Sequence, residues 1–159
     1  MKEADQHGRP LFRVDKRMGL VYTIGMAKDI IHDQVKNALI KDGWTITHDP
    51  YRIRYEGVEV KADLAIQHPN DTTQRIVIEI KSFQGRSFIS EFEKAIGQYR
   101  IYQQYLQLNG LDYEVYLATS KDAYDVHINR KAILVLIEFN EIDLLIVNTK
   151  NEEVVQWVK

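Results

Sequence analysis

Two neighbouring stretches decide how this chain folds: Val58-Glu59-Val60-Lys61-Ala62-Asp63-Leu64-Ala65-Ile66 and Ile76-Val77-Ile78-Glu79-Ile80-Lys81. Both alternate with period two, the mark of strands, because successive side chains leave opposite faces. In the first, Val58, Val60, Ala62, Leu64 and Ile66 share one face, and Glu59, Lys61 and Asp63 share the other. In the second, Ile76, Ile78 and Ile80 oppose Glu79 and Lys81. A polar loop from Gln67 to Gln74 joins them, with His68-Pro69-Asn70-Asp71 as turn chemistry. An antiparallel register matching Ile66 with Ile76 sets Asp63 across from Glu79 and Lys61 across from Lys81. Like charges directly opposite destabilise a strand pair, and here two such pairs would be neighbours. A divalent cation between Asp63 and Glu79 reverses the sign of the first pair. Two carboxylates, waters and the Ile80 backbone carbonyl are hard oxygen ligands that suit Mg2+, with Mn2+ as a substitute. Lys81 beside such an ion would hold an attacking hydroxide or neutralise a pentavalent phosphate. The plain alternative is a solvated face on which Asp63 pairs with Lys61 or Lys81.

The surrounding pattern supplies the rest of the fold. Ile31, Val35, Ala38 and Leu39 recur at helical spacing and Asp42-Gly43 stops them, so a helix of about four turns runs from Met26. His32 and Lys36 lie four apart on it, as do Asp29 and Asp33. His32 is a candidate acid/base or phosphate contact, against the alternative of a solvated helix face. Trp44-Thr45-Ile46-Thr47 and Tyr51-Arg52-Ile53-Arg54-Tyr55, separated by Asp49-Pro50, read as strand, turn, strand.

Downstream, Phe88, Phe92, Ala95, Tyr99, Tyr102 and Leu106 form one apolar stripe of a long helix over residues 90–108, closed by Asn109-Gly110. Residues 113–118 read as a strand, Ser120 to about Asn140 as a helical region, and residues 142–147 and 154–158 as two closing strands. This order predicts a single α/β domain over residues 26–159, a central mixed β-sheet flanked by helices. Residues 1–25 are polar and carry the breakers Gly8, Pro10, Gly19 and Gly25. They are expected to be a flexible extension, or to come from an early start ahead of Met26; a strand over Leu20–Ile24 is the alternative.

Composition narrows the function. With 159 residues, 45% of them hydrophobic, the chain can bury a sizeable core. The absence of cysteine excludes a disulfide framework, a thiolate zinc site and a cysteine nucleophile. No apolar run approaches the ~18 residues of a membrane span, and no signal-peptide core opens the chain, so a soluble cytoplasmic domain is expected. A net charge of −2 excludes a strongly cationic nucleic-acid coat. Residues 101–159 hold five Lys/Arg against nine Asp/Glu, whereas residues 26–100 balance eleven with eleven. Any nucleic-acid contact should therefore be local, in the first two thirds, and salt-sensitive. His48, His68 and His127 share no ligand spacing, and Trp44, Tyr99 and Tyr105 read as packing residues.

Asp63, Glu79-Ile80-Lys81 and the helical Gln98-Tyr99-Arg100-Ile101-Tyr102 resemble the PD-(D/E)XK nuclease superfamily, including the Q-x-x-x-Y element of its RecB-like members. Ala62 stands where the superfamily name has proline. Four stretches are similar to the XisH family, the fdxN element excision controlling factors of cyanobacteria. They are residues 27–36, 41–47, 77–83 and Val154-Val155-Gln156-Trp157, and the likeness spans about Met26 to Lys159.

This resemblance implies a restriction-endonuclease-like (PD-(D/E)XK) core. It further implies a Mg2+-dependent endodeoxyribonuclease site and a part in programmed DNA rearrangement of the kind that accompanies heterocyst development. The implied partners are DNA, an XisI-type protein and a site-specific recombinase, and the chain could act as a homo-oligomer. By the superfamily pattern Asp63 and Glu79 are metal ligands, Lys81 is the catalytic lysine, and Gln98 and Tyr102 line the site. Asp29 or Asp33 could add an acidic group from the first helix. The competing expectation is a catalytically silent nuclease-fold accessory factor that binds DNA or a protein.

Overall fold

β-Branched and aromatic runs draw the strands, and amphipathic helices close both faces of the sheet they make. The computed structural model describes residues 12–15 and 20–159. In chain order the first elements are β1 (Phe12–Asp15), β2 (Leu20–Thr23), α1 (Ile24–Lys41), β3 (Thr45–His48) and β4 (Tyr51–Tyr55). β5 (Val58–Ala62), β6 (Leu64–His68), β7 (Asp71–Ile80) and α2 (Phe88–Leu108) follow. β8 (Glu114–Ser120) leads into the short α3 (Lys121–Ala123), which continues as a π-helical turn over Tyr124–Ile128. Then come α4 (Lys131–Phe139), β9 (Leu144–Asn148) and β10 (Glu153–Val158).

Six strands form the central sheet in the order β10-β9-β8-β7-β6-β3, with β7, β8 and β9 mutually parallel and the remaining pairs antiparallel. It is the expected mixed sheet flanked by helices. On one face α1 buries Ile31, Val35, Ala38 and Leu39 against Leu64, Ile66, Ile76, Ile78 and Ile80. On the other, the α2 stripe and Ile133 and Ile137 of α4 cover Val77, Val115 and Leu117. Each fully buried side chain of this size contributes about 1.5–3 kcal/mol. The Ser87 hydroxyl caps α2 by accepting from the Ser90 N–H, and Asn109 ends it. Gly85 precedes that cap because a Cβ there would lie 2.8 Å from the Glu91 carboxylate. Among the described residues no helix is long and apolar enough to cross a membrane.

Several expectations change. The Val58–Ile66 alternation is not one strand. It breaks at Asp63, so that Ala62 packs on the α2 face and Leu64 on the α1 face. β5 leaves the central sheet and pairs with β4, placing Lys61 opposite Arg52 rather than Lys81. Lys61 thus still faces a cation, while Arg52 is held instead by the neighbouring Glu59 carboxylate at 2.6 Å. β3 pairs with β6, not with β4. The polar loop is shorter than expected, because β7 starts at Asp71 and Gln67 pairs with Arg75.

The helical region after Ser120 is interrupted at Asn129 and Arg130. A strand is present over Leu20–Thr23, antiparallel to Phe12–Asp15, as the β-branched and aromatic Val21-Tyr22-Thr23 favour. The helix then begins at Ile24, ahead of Met26. The expected flexibility of residues 1–11 and 16–19 lies outside the described residues.

Candidate metal and phosphate site

The register that matches Ile66 with Ile76 holds, and it continues to Leu64 opposite Ile78. Continued, it would set Asp63 opposite Glu79 and then residue 62 opposite Ile80, but the ladder ends at Leu64 and the chain turns away at Asp63. β7 is thus left without a neighbour on this side at its last residue. The Lys81 N–H donates to the Ala118 carbonyl of β8 (2.9 Å), so by strand alternation the Ile80 N–H and C=O point the other way, toward the ended β6. Asp63 takes the vacated place: its Oδ2 accepts from the Ile80 N–H at 2.7 Å. A side-chain carboxylate here does what a strand carbonyl would have done, and its second oxygen stays available.

Glu79 projects from β7 into the layer under α2. It is only 4% exposed, one of two buried polar residues among those described. Tyr102 lies within 2.8 Å of Glu79 Oε2 and 2.9 Å of the Lys61 carbonyl, and its single hydroxyl proton can serve only one of them at a time. The charge-assisted bond to an ionised Glu79 is the stronger. On the other side, Lys81 Nζ stands 3.3 Å from Glu79 Oε1. The Lys81 carbonyl is held by the buried Thr119 hydroxyl at 2.7 Å.

Burial first, and then the Asp63 charge, push the Glu79 carboxyl up to about 7, although Lys81 and Tyr102 pull the other way. The solvated-face alternative therefore fails for Glu79. Burial and the Glu79 charge also hold the Tyr102 phenol well above its usual value, so it remains a donor.

Asp63 reaches outward as well as inward. His32 Nδ1 lies 3.9 Å from Asp63 Oδ1, and His32 Nε2 lies 2.8 Å from Asp49 Oδ1. Lys36 Nζ donates to Asp49 Oδ2 at 2.7 Å. Burial alone would raise Asp49, but the Lys36 and His32 contacts outweigh it and hold its carboxyl below the usual value. His32 and Lys36 were legible as an i,i+4 pair, whereas Asp49 was legible only as a turn residue before Pro50. It reaches this cluster because β3 pairs with β6.

The structure thus brings Asp63, Glu79, Lys81, Tyr102 and His32 together. Gln98 lies one turn before Tyr102 on α2, with its Oε1 buried and lacking a hydrogen-bond partner. Asp29 and Asp33 are exposed on α1, and no ion pair ties either to the cluster among the described residues. His48, His68 and His127 remain apart, on Tyr51, Trp44 and Phe88 respectively.

The donor set suits a small hard cation. Asp63 keeps Oδ1 free of any N–H or O–H hydrogen bond from the described residues, and Glu79 gives its two oxygens to the Tyr102 hydroxyl and the Lys81 ammonium. By strand alternation the Ile80 carbonyl points to the Asp63 side of β7. Among the described residues no group of three or more His, Asp or Glu side chains converges to hold an ion alone. Waters would therefore have to complete the shell, as Mg2+ readily allows.

Comparison with known proteins agrees over the region that carries these residues. The XisH protein family model matches residues 26–155. An XisH family protein from Nostoc punctiforme PCC 73102 is 34% identical with a TM-score of 0.76, covering 82% of this chain and 100% of its own. A fdxN element excision controlling factor protein from Anabaena variabilis is 35% identical with a TM-score of 0.76, covering 82% of this chain and 99% of its own. No curated protein matches. A family model spanning most of the chain and two crystal structures matched over four fifths of it lead to one assignment: the chain belongs to the XisH family.

Proposed function

We propose that this protein acts in programmed DNA excision, like the Anabaena variabilis factor it is similar to, as a Mg2+-dependent DNA endonuclease. The observation that carries the reading is the buried Glu79, opposed by Asp63 and raised to about 7. A carboxylate with so unfavourable a charge is poised for a cation. Asp63, Glu79 and the Ile80 carbonyl would hold the metal, which when bound supplies Lewis-acid polarisation of a phosphate and acidification of water. Asp63 is fixed for this by the Ile80 N–H, and Glu79 by the Tyr102 hydroxyl. Lys81 is placed to stabilise the extra negative charge of a pentavalent phosphorus. Lys36 and His32, on the open side of Asp63, would receive a neighbouring backbone phosphate. The partners of this reading are duplex DNA, an XisI-type protein and a recombinase, in the cytoplasm.

The test is cleavage of duplex, nicked, branched and single-stranded DNA with Mg2+ or Mn2+, with and without an XisI-type partner. Wild type should cut, and Asp63→Ala with Glu79→Ala should lose roughly a thousandfold or more, given the size of metal and electrostatic contributions. Unchanged cutting by the double variant overturns the reading. One observation favours a silent accessory factor instead: each carboxylate already gives an oxygen to a protein donor, and among the described residues no third acidic ligand joins them. DNA or partner binding that needs no divalent metal, with no cutting by wild type, selects that second reading.

A further inference from the structure

α4 reads Lys131-Ala132-Ile133-Leu134-Val135-Leu136-Ile137-Glu138-Phe139 and turns only Ile133 and Ile137 into the core. Leu134, Val135 and Leu136 are each more than a third exposed, and Phe139 is 83% exposed. A helix apolar all round belongs against another surface. Its terminal charges indicate which one. Lys131 opens the helix and Glu138 sits in its last turn, with no acidic residue at the start and no basic one at the end. The helix macrodipole favours the reverse, anions at the N-terminus and cations at the C-terminus. Each charge is misplaced on its own helix and well placed beside an antiparallel copy of it.

Helical geometry sharpens the fit. At 3.6 residues per turn, Lys131, Val135 and Phe139 form the ridge farthest from Ile133 and Ile137, with Glu138 alongside. A twofold axis through Val135 would set Lys131 against the partner's Glu138 and the ring of the partner's Phe139, and symmetry makes the contact twice. An ion pair and a cation–π contact then flank an apolar centre of valine and leucine. We propose that the protein forms a homodimer by antiparallel packing of α4 on α4 of a second copy. The proposal is independent of the metal site.

Sedimentation equilibrium of the full chain tests it. Wild type should approach the mass of two 18.6 kDa chains as concentration rises. Phe139→Glu, which alters a side chain outside the core, should give single chains. Lys131→Glu and Glu138→Lys should each weaken the dimer about tenfold, since each sets like charges together at two symmetric places. The Lys131→Glu, Glu138→Lys double variant should recover it. Single-chain wild type at every concentration, a dimer indifferent to Phe139→Glu, or a double variant no better than the singles overturns the proposal.

Discussion

Asp63 joins two regions of opposite character. Inward lies a dry corner in which Glu79 is almost sealed between Tyr102 and Lys81. Outward lies a rim on which His32 and Lys36 share the Asp49 carboxylate within reach of solvent. The same kinds of group meet in both places, carboxylates with cations, yet burial changes their energetics. In the corner, desolvation dominates and the carboxylate is raised toward neutrality. On the rim, desolvation is again the largest single influence, but the Lys36 and His32 contacts together outweigh it and the carboxylate is lowered. On the proposed reading, the charge left uncomfortable by burial would be the binding centre, and the one already satisfied by its neighbours would belong to the surface that guides a ligand toward it.

The largest effect separating the two regions belongs to Glu79. Its folded value of about 7 lies above the usual 4.5 of a glutamate, so the folded state prefers the protonated form. The stability this gives is complete below about 4.5 and is lost as pH rises to about 7, an amount on the order of 3 kcal/mol by linkage. In chelator, urea unfolding of wild type should therefore weaken over that window relative to Glu79→Gln, which cannot ionise, leaving the variant the more stable at pH 8. Parallel pH curves for the two proteins would break the contrast.

Tyr102→Phe comes next. It removes the hydroxyl from a buried place and leaves Glu79 Oε2 and the Lys61 carbonyl to compete for nothing, costing about 1–2 kcal/mol. It should also move the Glu79 titration further upward, because a hydrogen bond to the charged form is lost. Carboxyl-resolved NMR titration with unfolding measurements checks both, and an unmoved titration would show that the hydroxyl serves the Lys61 carbonyl instead.

The smallest effects lie on the rim. Lys36→Ala and Asp49→Asn should each change stability by about 0.5 kcal/mol or less, as exposed ion pairs do. Lys36→Ala should lower the salt dependence of DNA affinity by about one phosphate contact. A stability loss several times larger would make the rim part of the core scaffold, and an unaltered salt slope would remove Lys36 from the DNA surface.

Much of the corner was legible in the chain. In-phase isoleucines on both sides of a turn set the register as far as Leu64 and Ile78, and Asp63, just beyond the end of that ladder, reaches the Ile80 N–H rather than pairing with Glu79. The helical stripe through Phe92, Tyr99 and Tyr102 was equally plain, because one buried face leaves a period that tertiary contacts rarely erase. What stayed hidden was the break at Asp63. Ala62 and Leu64 obey the same alternation, and only a second hairpin with β4 pulls one of them to the opposite face. Asp49 was hidden for a related reason, since nothing local marks a turn aspartate that β3 will carry over α1.

Local periodicity, which each strand and helix writes into its own residues, was therefore enough to determine most of the elements, the mixed sheet and the register that brings Leu64 to Ile78. Which face Glu79 would lose to α2, where β5 would leave the sheet, and which surface cations would gather beside Asp63 were decided only when distant segments packed. Burial and long-range charge depend on neighbours far away in the chain, and no pattern within a single segment records them.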